Sequence, residues 1–247
     1  MARRHDIDRV LQEWPYEPGE ISARLVRAAD GREVLQMRVE MGVLQLETAG
    51  RPDGQRPGGA KTYFDYLAGA AARNRHDFQL SPEQCAEVDR EFMQFYHRRV
   101  CWLALREFRR AAMDADHTLA FMDFVREHSP DEEWTLSHEQ YRPFVLFHRS
   151  QAVALATLEE AGPEEALQEL NRGLGRFRDS FAEYEAEEQF DDDELVQRLI
   201  ELRDTLREQY DLKPSLSEQL ADAVAAEQYE LAAKLRDELS RRTGKRA

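Results

Sequence analysis

The apolar positions of the chain are most regular near its C-terminal end. They form two stripes at helical spacing, separated by a short polar break at residues 227–229. The first stripe comprises Leu216, Leu220, Ala223 and Val224. The second stripe comprises Leu231, Ala232, Leu235 and Leu239. Two stripes joined by so few residues predict an antiparallel helical hairpin, which we assign to a C-terminal domain of residues 211–247.

Helical periodicity also dominates residues 63–210, which are predicted to form an α-helical body. A first helix is expected over Tyr63–Arg73, and a second opens at Ser81, which is followed by a proline in the first-turn position. Residues 163–189 are predicted to form one long helix. Residues 127–140 are expected to form a connector between helices.

Residues 1–62 have a different pattern. Apolar and polar residues alternate between Ile21 and Thr48, and the pair Asp30-Gly31 between two runs is a strong hairpin signal. This alternation predicts two or three antiparallel strands, with Gly42 at a bulge or a second turn. So small a sheet must pack on a helix or on another copy of itself. The expected fold class is therefore mainly α, with a small N-terminal sheet.

A Gly/Pro-rich loop follows the predicted strands, between Ala49 and Lys61. It carries the basic residues Arg51, Arg56 and Lys61, and arginine side chains bind planar anions well. The loop is either a contact site for an anion or a protein, or an irregular connector that its charges keep solvated. The composition favours the connector.

Charge is distributed unevenly along the 247 residues. The formal net charge is −15, and residues 1–80 contribute nothing to it because their acidic and basic residues balance. An acidic surface repels phosphate backbones, so direct nucleic-acid binding is not expected. No apolar run is long enough for a membrane span, and the N-terminus lacks the apolar core of a secretory signal. We expect a cytoplasmic protein.

The C-terminal stripes contain a recognisable motif. Its residues are Leu220, Ala223, Glu227, Tyr229, Glu230, Ala232, Ala233, Leu235, Arg236 and Asp237. This run resembles the UVR motif of the B and C subunits of the bacterial excision nuclease. The motif also occurs in Clp-type unfoldases, in adaptors of bacterial arginine kinases and in some plastid regulators. The resemblance implies a docking hairpin. The residues expected to bind a partner are Leu220, Val224, Tyr229, Glu230, Leu231, Leu235, Arg236, Asp237 and Leu239.

A second resemblance lies in the helical body. It is carried by Arg98, Trp102, Leu105, Phe108, Ala111, Asp114 and Leu119, which resemble a tetratricopeptide repeat. The glycine usual after Leu105 is replaced by Arg106. A related pattern returns later, where Ala166 and Gly173 have the seven-residue spacing of Ala111 and Thr118. The resemblance implies a degenerate array of two helical hairpins.

The nucleophiles, histidines and glycines of the sequence form none of the common catalytic motifs. Cys85 and Cys101 are too far apart for a CxxC site and are expected to be buried thiols. We therefore expect no enzymatic activity, no metal and no cofactor.

The resemblance to the UVR motif implies a protein–protein interaction adaptor or regulator in protein quality control, whose hairpin docks an unfoldase or a kinase. The first alternative is an accessory factor of nucleotide excision repair that binds an excision nuclease subunit, and the second is an enzyme with an unrecognised site. Association between two copies of the chain also stays open.

Overall fold

The computed structural model describes residues 6–74, 78–214 and 216–243. Its helices are α1 (Asp8–Glu13), α2 (Tyr63–Arg73), α3 (Pro82–Ala104), α4 (Phe108–His128), α5 (Glu132–Glu139), α6 (Arg142–Glu160), α7 (Pro163–Glu183), α8 (Glu194–Gln209), α9 (Leu216–Ala225) and α10 (Tyr229–Thr243). Its strands are β1 (Ala23–Arg27), β2 (Glu33–Val39) and β3 (Gly42–Glu47). The mainly α class with a small N-terminal sheet is confirmed.

The chain divides into two compact units, residues 1–201 and residues 202–247. The first unit holds the sheet and the helical body. The second unit holds the end of α8 and the C-terminal hairpin. The predicted boundaries at residues 62 and 210 stay predictions. Within the described ranges, no helix is both long and apolar enough to cross a membrane.

The three strands form an antiparallel sheet in the order β1-β2-β3. Leu25 lies opposite Leu35, and Leu35 lies opposite Leu46, so these side chains share one face of the sheet. That face packs against helices of the body, in a cluster that includes Trp102 and Ala111. The sheet therefore packs on the helical body of the same chain, which removes its apolar face from solvent.

The two turns of the sheet follow from local chemistry. Gly31 adopts a positive φ of 88° between β1 and β2, and the Asp30 Oδ1 accepts a hydrogen bond from the Arg32 backbone N–H. A glycine is needed at that φ because a side chain would clash with the backbone. Gly42 begins β3 immediately after the second tight turn.

Four long helices make two antiparallel hairpins, α3–α4 and α6–α7, and α4 packs against α6. A capping box opens α3, in which Ser81 and Gln84 satisfy each other's backbone N–H groups. At the turn between α3 and α4, Arg106 has a φ of 59°. Arg106 thus adopts a left-handed conformation that glycine takes more readily than arginine.

A buried ion pair joins the first hairpin to the loop after β3. The Arg98 guanidinium donates to both carboxylate oxygens of Asp114, at 2.9 and 2.7 Å. Its remaining Nη1 donates to the carbonyl oxygens of Glu47 and Gly50, at 3.0 and 2.8 Å. Arg98 is therefore the centre of a network that links α3, α4 and the end of the sheet.

Two expectations about the helical body were wrong. The connector at residues 127–140 contains α5, whose N-terminus is capped by the Asp131 carboxylate. The long helix predicted over residues 163–189 ends at Glu183, because Glu185 takes a φ of 53° and the chain then forms a short 3-10 helix, Glu187–Asp192. The next helix, α8, is capped by Asp193, which accepts from two backbone N–H groups.

Replacing Gly173 by alanine is expected to destabilise the second hairpin. A Cβ at this position of α7 would lie 2.6 Å from the Oγ and 2.7 Å from the Cβ of Ser150 on α6. We expect a loss of about 1–3 kcal/mol in the free energy of unfolding, even though alanine favours helix. Urea denaturation followed by circular dichroism measures this loss.

The matched control is Gly175→Ala on the same helix, where an added Cβ would meet no atom within 4 Å. This control should be neutral or stabilising by up to about 1 kcal/mol. If both variants shift stability in the same direction and by the same amount, the close approach at Gly173 does not constrain the packing.

Candidate partner-binding site

The C-terminal hairpin consists of α9 and α10, joined by a turn with a definite hydrogen-bond pattern. The Gln228 N–H donates to the Ala223 carbonyl at 2.8 Å, and the Glu227 N–H donates to the Val224 carbonyl at 3.0 Å. Glu227 has a φ of 56°. These two bonds and the left-handed residue form a Schellman motif, which ends α9 and reverses the chain.

The inner face of the hairpin is a small apolar core. Ala223, Ala232 and Leu235 are buried, and Leu216 and Leu220 pack against them. The short alanine side chains allow the two helices to approach closely. Leu220 and Leu235, both predicted to contact a partner, therefore pack inside the hairpin.

A second set of apolar side chains remains on the outside. Val224 is 52 % exposed, Tyr229 is 69 % exposed and Leu231 is 44 % exposed. All three lie near the turn, at the end of α9 or the start of α10. Leu239, near the other end of α10, is half-buried. The apolar residues predicted for the partner site thus divide into an internal set and an outer set, and we call Val224, Tyr229 and Leu231 the outer apolar face.

The predicted charged residues of the hairpin are exposed. Arg236 donates to the carboxylate of its neighbour Asp237 at 3.1 Å, and Glu230 lies on the surface beside the turn. An ion pair in so exposed a position adds little stability to the hairpin. The charges of Glu230, Arg236 and Asp237 are thus placed where a partner could reach them.

Of the two interpretations of the Gly/Pro-rich loop, the position of Arg51 favours the connector over the anion contact site. Arg51 is buried, and its guanidinium lies 2.8 Å from Glu87, 3.4 Å from Asp53 and 3.5 Å from Glu91. Because its donors face carboxylates of the same chain, Arg51 anchors the loop and is closed to an external anion.

The other two basic residues of this loop, Arg56 and Lys61, are exposed. Lys61 also contributes its carbonyl oxygen, which accepts the Arg51 backbone N–H at 2.9 Å. Of the three basic residues named as a possible contact site, Arg51 is thus buried, whereas Arg56 and Lys61 are open to solvent.

The two cysteines are buried and free, as expected. Burial raises the pKa of Cys101 to about 12, so its thiol stays protonated at neutral pH and is a poor nucleophile. Among the residues that the structure describes, no three His, Cys, Asp or Glu side chains are grouped as a metal site would require.

The position and geometry of the hairpin agree with a family comparison. Residues 212–241 match the UvrB/uvrC motif, UVR. The match covers the linker after α8, all of α9 and most of α10, which is the segment predicted from the residue pattern. The UVR motif is associated with protein interaction. No curated protein and no solved structure is significantly similar to the chain.

Proposed function

We propose that this protein is a non-enzymatic adaptor or regulator, and that its UVR hairpin docks a partner protein in a protein quality control pathway. The observation that carries the proposal is the outer apolar face of the hairpin. The hairpin has its own core, yet it still exposes Val224, Tyr229 and Leu231 together near one turn. Clustered apolar side chains on a surface mark an interaction site more often than scattered ones do.

The small size of the hairpin core also supports docking. Among the hairpin side chains that the structure describes, three are buried in this core, and a two-helix unit of this size has little apolar area to stabilise it alone. A partner hairpin laid against the outer face would complete a four-helix arrangement and bury the three exposed side chains. Glu230, Arg236 and Asp237 would then set the register of the pair through their charges.

The first candidate partners are a Clp-type unfoldase or an arginine kinase, because UVR motifs occur in such unfoldases and in the adaptors of such kinases. The second candidate function is an accessory role in nucleotide excision repair, in which the hairpin binds an excision nuclease subunit. The name of the matched motif, UvrB/uvrC, is the observation that favours this second candidate. Both candidates use the same outer apolar face and differ only in the protein that covers it.

The test is affinity capture with the full chain and with an outer-face variant, Val224→Asp with Leu231→Asp. Because both side chains are exposed, this variant should keep the hairpin helical. The amount of partner that it captures should be about tenfold lower than with the wild type, or lower still. Mass spectrometry identifies the captured protein. An unfoldase or kinase supports the first candidate, and an excision nuclease subunit supports the second.

The matched control is Met41→Asp with Met113→Asp, which adds the same charge at two exposed apolar positions of the first unit. It should recover the partner as well as the wild type does. Leu235→Asp is a poor choice for this experiment because Leu235 is buried in the hairpin core and its loss would unfold the hairpin. Equal recovery by the wild type and the outer-face variant would contradict both candidates.

A further inference from the structure

The first unit contains an open groove. It has a volume of about 390 Å³ and lies where α5 and the start of α6 face the end of α7. Leu136, Pro143, Phe181 and Tyr184 supply most of its apolar lining. Leu136 is 54 % exposed and Tyr184 is 48 % exposed, so the groove presents large apolar side chains to solvent. A volume of this size accommodates one or two amino-acid side chains.

The polar groups beside the groove are already paired. Glu139 is buried, and its carboxylate accepts hydrogen bonds from the Arg142 Nη2 at 2.8 Å and from the Tyr184 hydroxyl at 3.1 Å. Arg142 also lies 2.9 Å from Asp123. Burial alone would raise the pKa of Glu139, but the hydrogen bonds and charge of Arg142 lower it below its usual range. The groove therefore has a fixed polar wall and offers mainly apolar contact.

The segment of the chain that contributes Tyr184 and Ala186 to the groove is strongly acidic. Residues 183–194, which run from the end of α7 to the start of α8, contain eight Asp or Glu and no Lys or Arg. Helix α5, which contributes Leu136 to the groove, also carries the acids Glu132 and Glu133 in its first turn, after its capping residue Asp131. A net charge of −15 makes a second copy of this chain an unfavourable occupant, because the two acidic surfaces would repel each other.

We propose that the groove binds a basic peptide segment of a partner protein, which inserts one apolar side chain between Leu136 and Phe181. The lysine or arginine residues that flank this side chain contact the acidic residues 183–194. The apolar contact supplies most of the affinity, and the charges select the segment and speed its association. This surface belongs to the first unit and is independent of the proposed docking by the hairpin.

The test uses fluorescence anisotropy of a labelled synthetic peptide with a central tryptophan, lysines on both sides and serine elsewhere. Leu136→Ser removes an exposed side chain of the groove and should weaken binding about tenfold. Alanine in place of the peptide's tryptophan should have a similar effect. Glu187→Gln with Glu188→Gln should weaken binding a few-fold, and added salt should abolish the difference from wild type.

Matched controls separate groove binding from general charge attraction. Met113→Ser alters an exposed apolar residue away from the groove, and Glu17→Gln with Glu20→Gln removes two exposed charges elsewhere. Both should bind the peptide as the wild type does. The proposal fails if Leu136→Ser binds normally, or if all charge-neutralising variants weaken binding equally. It also fails if sedimentation shows a dimer of the chain that Leu136→Ser dissociates, because the occupant is then a second copy.

Discussion

Replacing Arg98 by methionine is expected to lower the free energy of unfolding of the body by about 3–5 kcal/mol. The substitution leaves the Asp114 carboxylate buried without its cation, since both groups are almost fully removed from solvent. It also removes the donors to the Glu47 and Gly50 carbonyls. Tryptophan fluorescence during urea denaturation measures the loss in this unit alone, because all three tryptophans lie within residues 1–201.

A double variant, Arg98→Met with Asp114→Leu, shows how much of this loss comes from the buried Asp114 carboxylate that no longer has a cationic partner. Removing both members of a buried ion pair costs far less than removing one, so the double variant should regain about half of the stability. The remainder reflects the two carbonyl groups left without a donor. A single variant that loses less than about 1 kcal/mol would show that the network is not important for folding.

Local signals in the sequence predicted much of the secondary structure. Ser81 followed by a proline predicted the start of α3, because a side-chain cap acts within a single turn of chain. The Asp30-Gly31 pair predicted the first turn of the sheet for the same reason. The missed elements lacked such signals. Helix α5 has few apolar positions, and α7 is followed by Glu185, a residue type that does not favour the left-handed conformation it adopts.

Tertiary contacts were the part that the sequence could not predict. Arg51 and Glu87 are separated by many residues, and no local pattern indicates that they pair. The partner-binding site on the C-terminal hairpin was predicted only as far as local sequence pattern allows. Helical spacing identified the apolar stripes of the hairpin, but it could not assign Leu235 to the inside and Leu231 to the outside. That assignment depends on the rotation of each helix about its own axis, which the turn at Glu227 sets.

Acidification is expected to destabilise the body through His148, which packs on the ring of Phe144 inside the helical body. Burial, and secondly the charge of Arg99, lower the pKa of His148 from 6.5 to about 4. The Arg99 Nε donates to the His148 Nδ1 at 3.3 Å, which requires that nitrogen to be unprotonated. The unfolded chain takes up a proton near pH 6.5, whereas the folded chain does so only near pH 4. The His148 contribution is therefore complete above pH 6.5 and is lost as the pH falls from 6.5 to about 4.

The loss is about 2–3 kcal/mol by pH 4.5, and a His148→Gln variant isolates it. Glutamine has no proton to gain in this range, and its side-chain oxygen can still accept from Arg99. Urea denaturation of both proteins at neutral pH and at pH 4.5 should therefore show a smaller loss for the variant. Other acid-sensitive groups, including Glu139, are common to both proteins and cancel in the difference. An equal loss of stability in the two proteins would contradict this prediction. It would show that protonation of His148 does not destabilise the folded state.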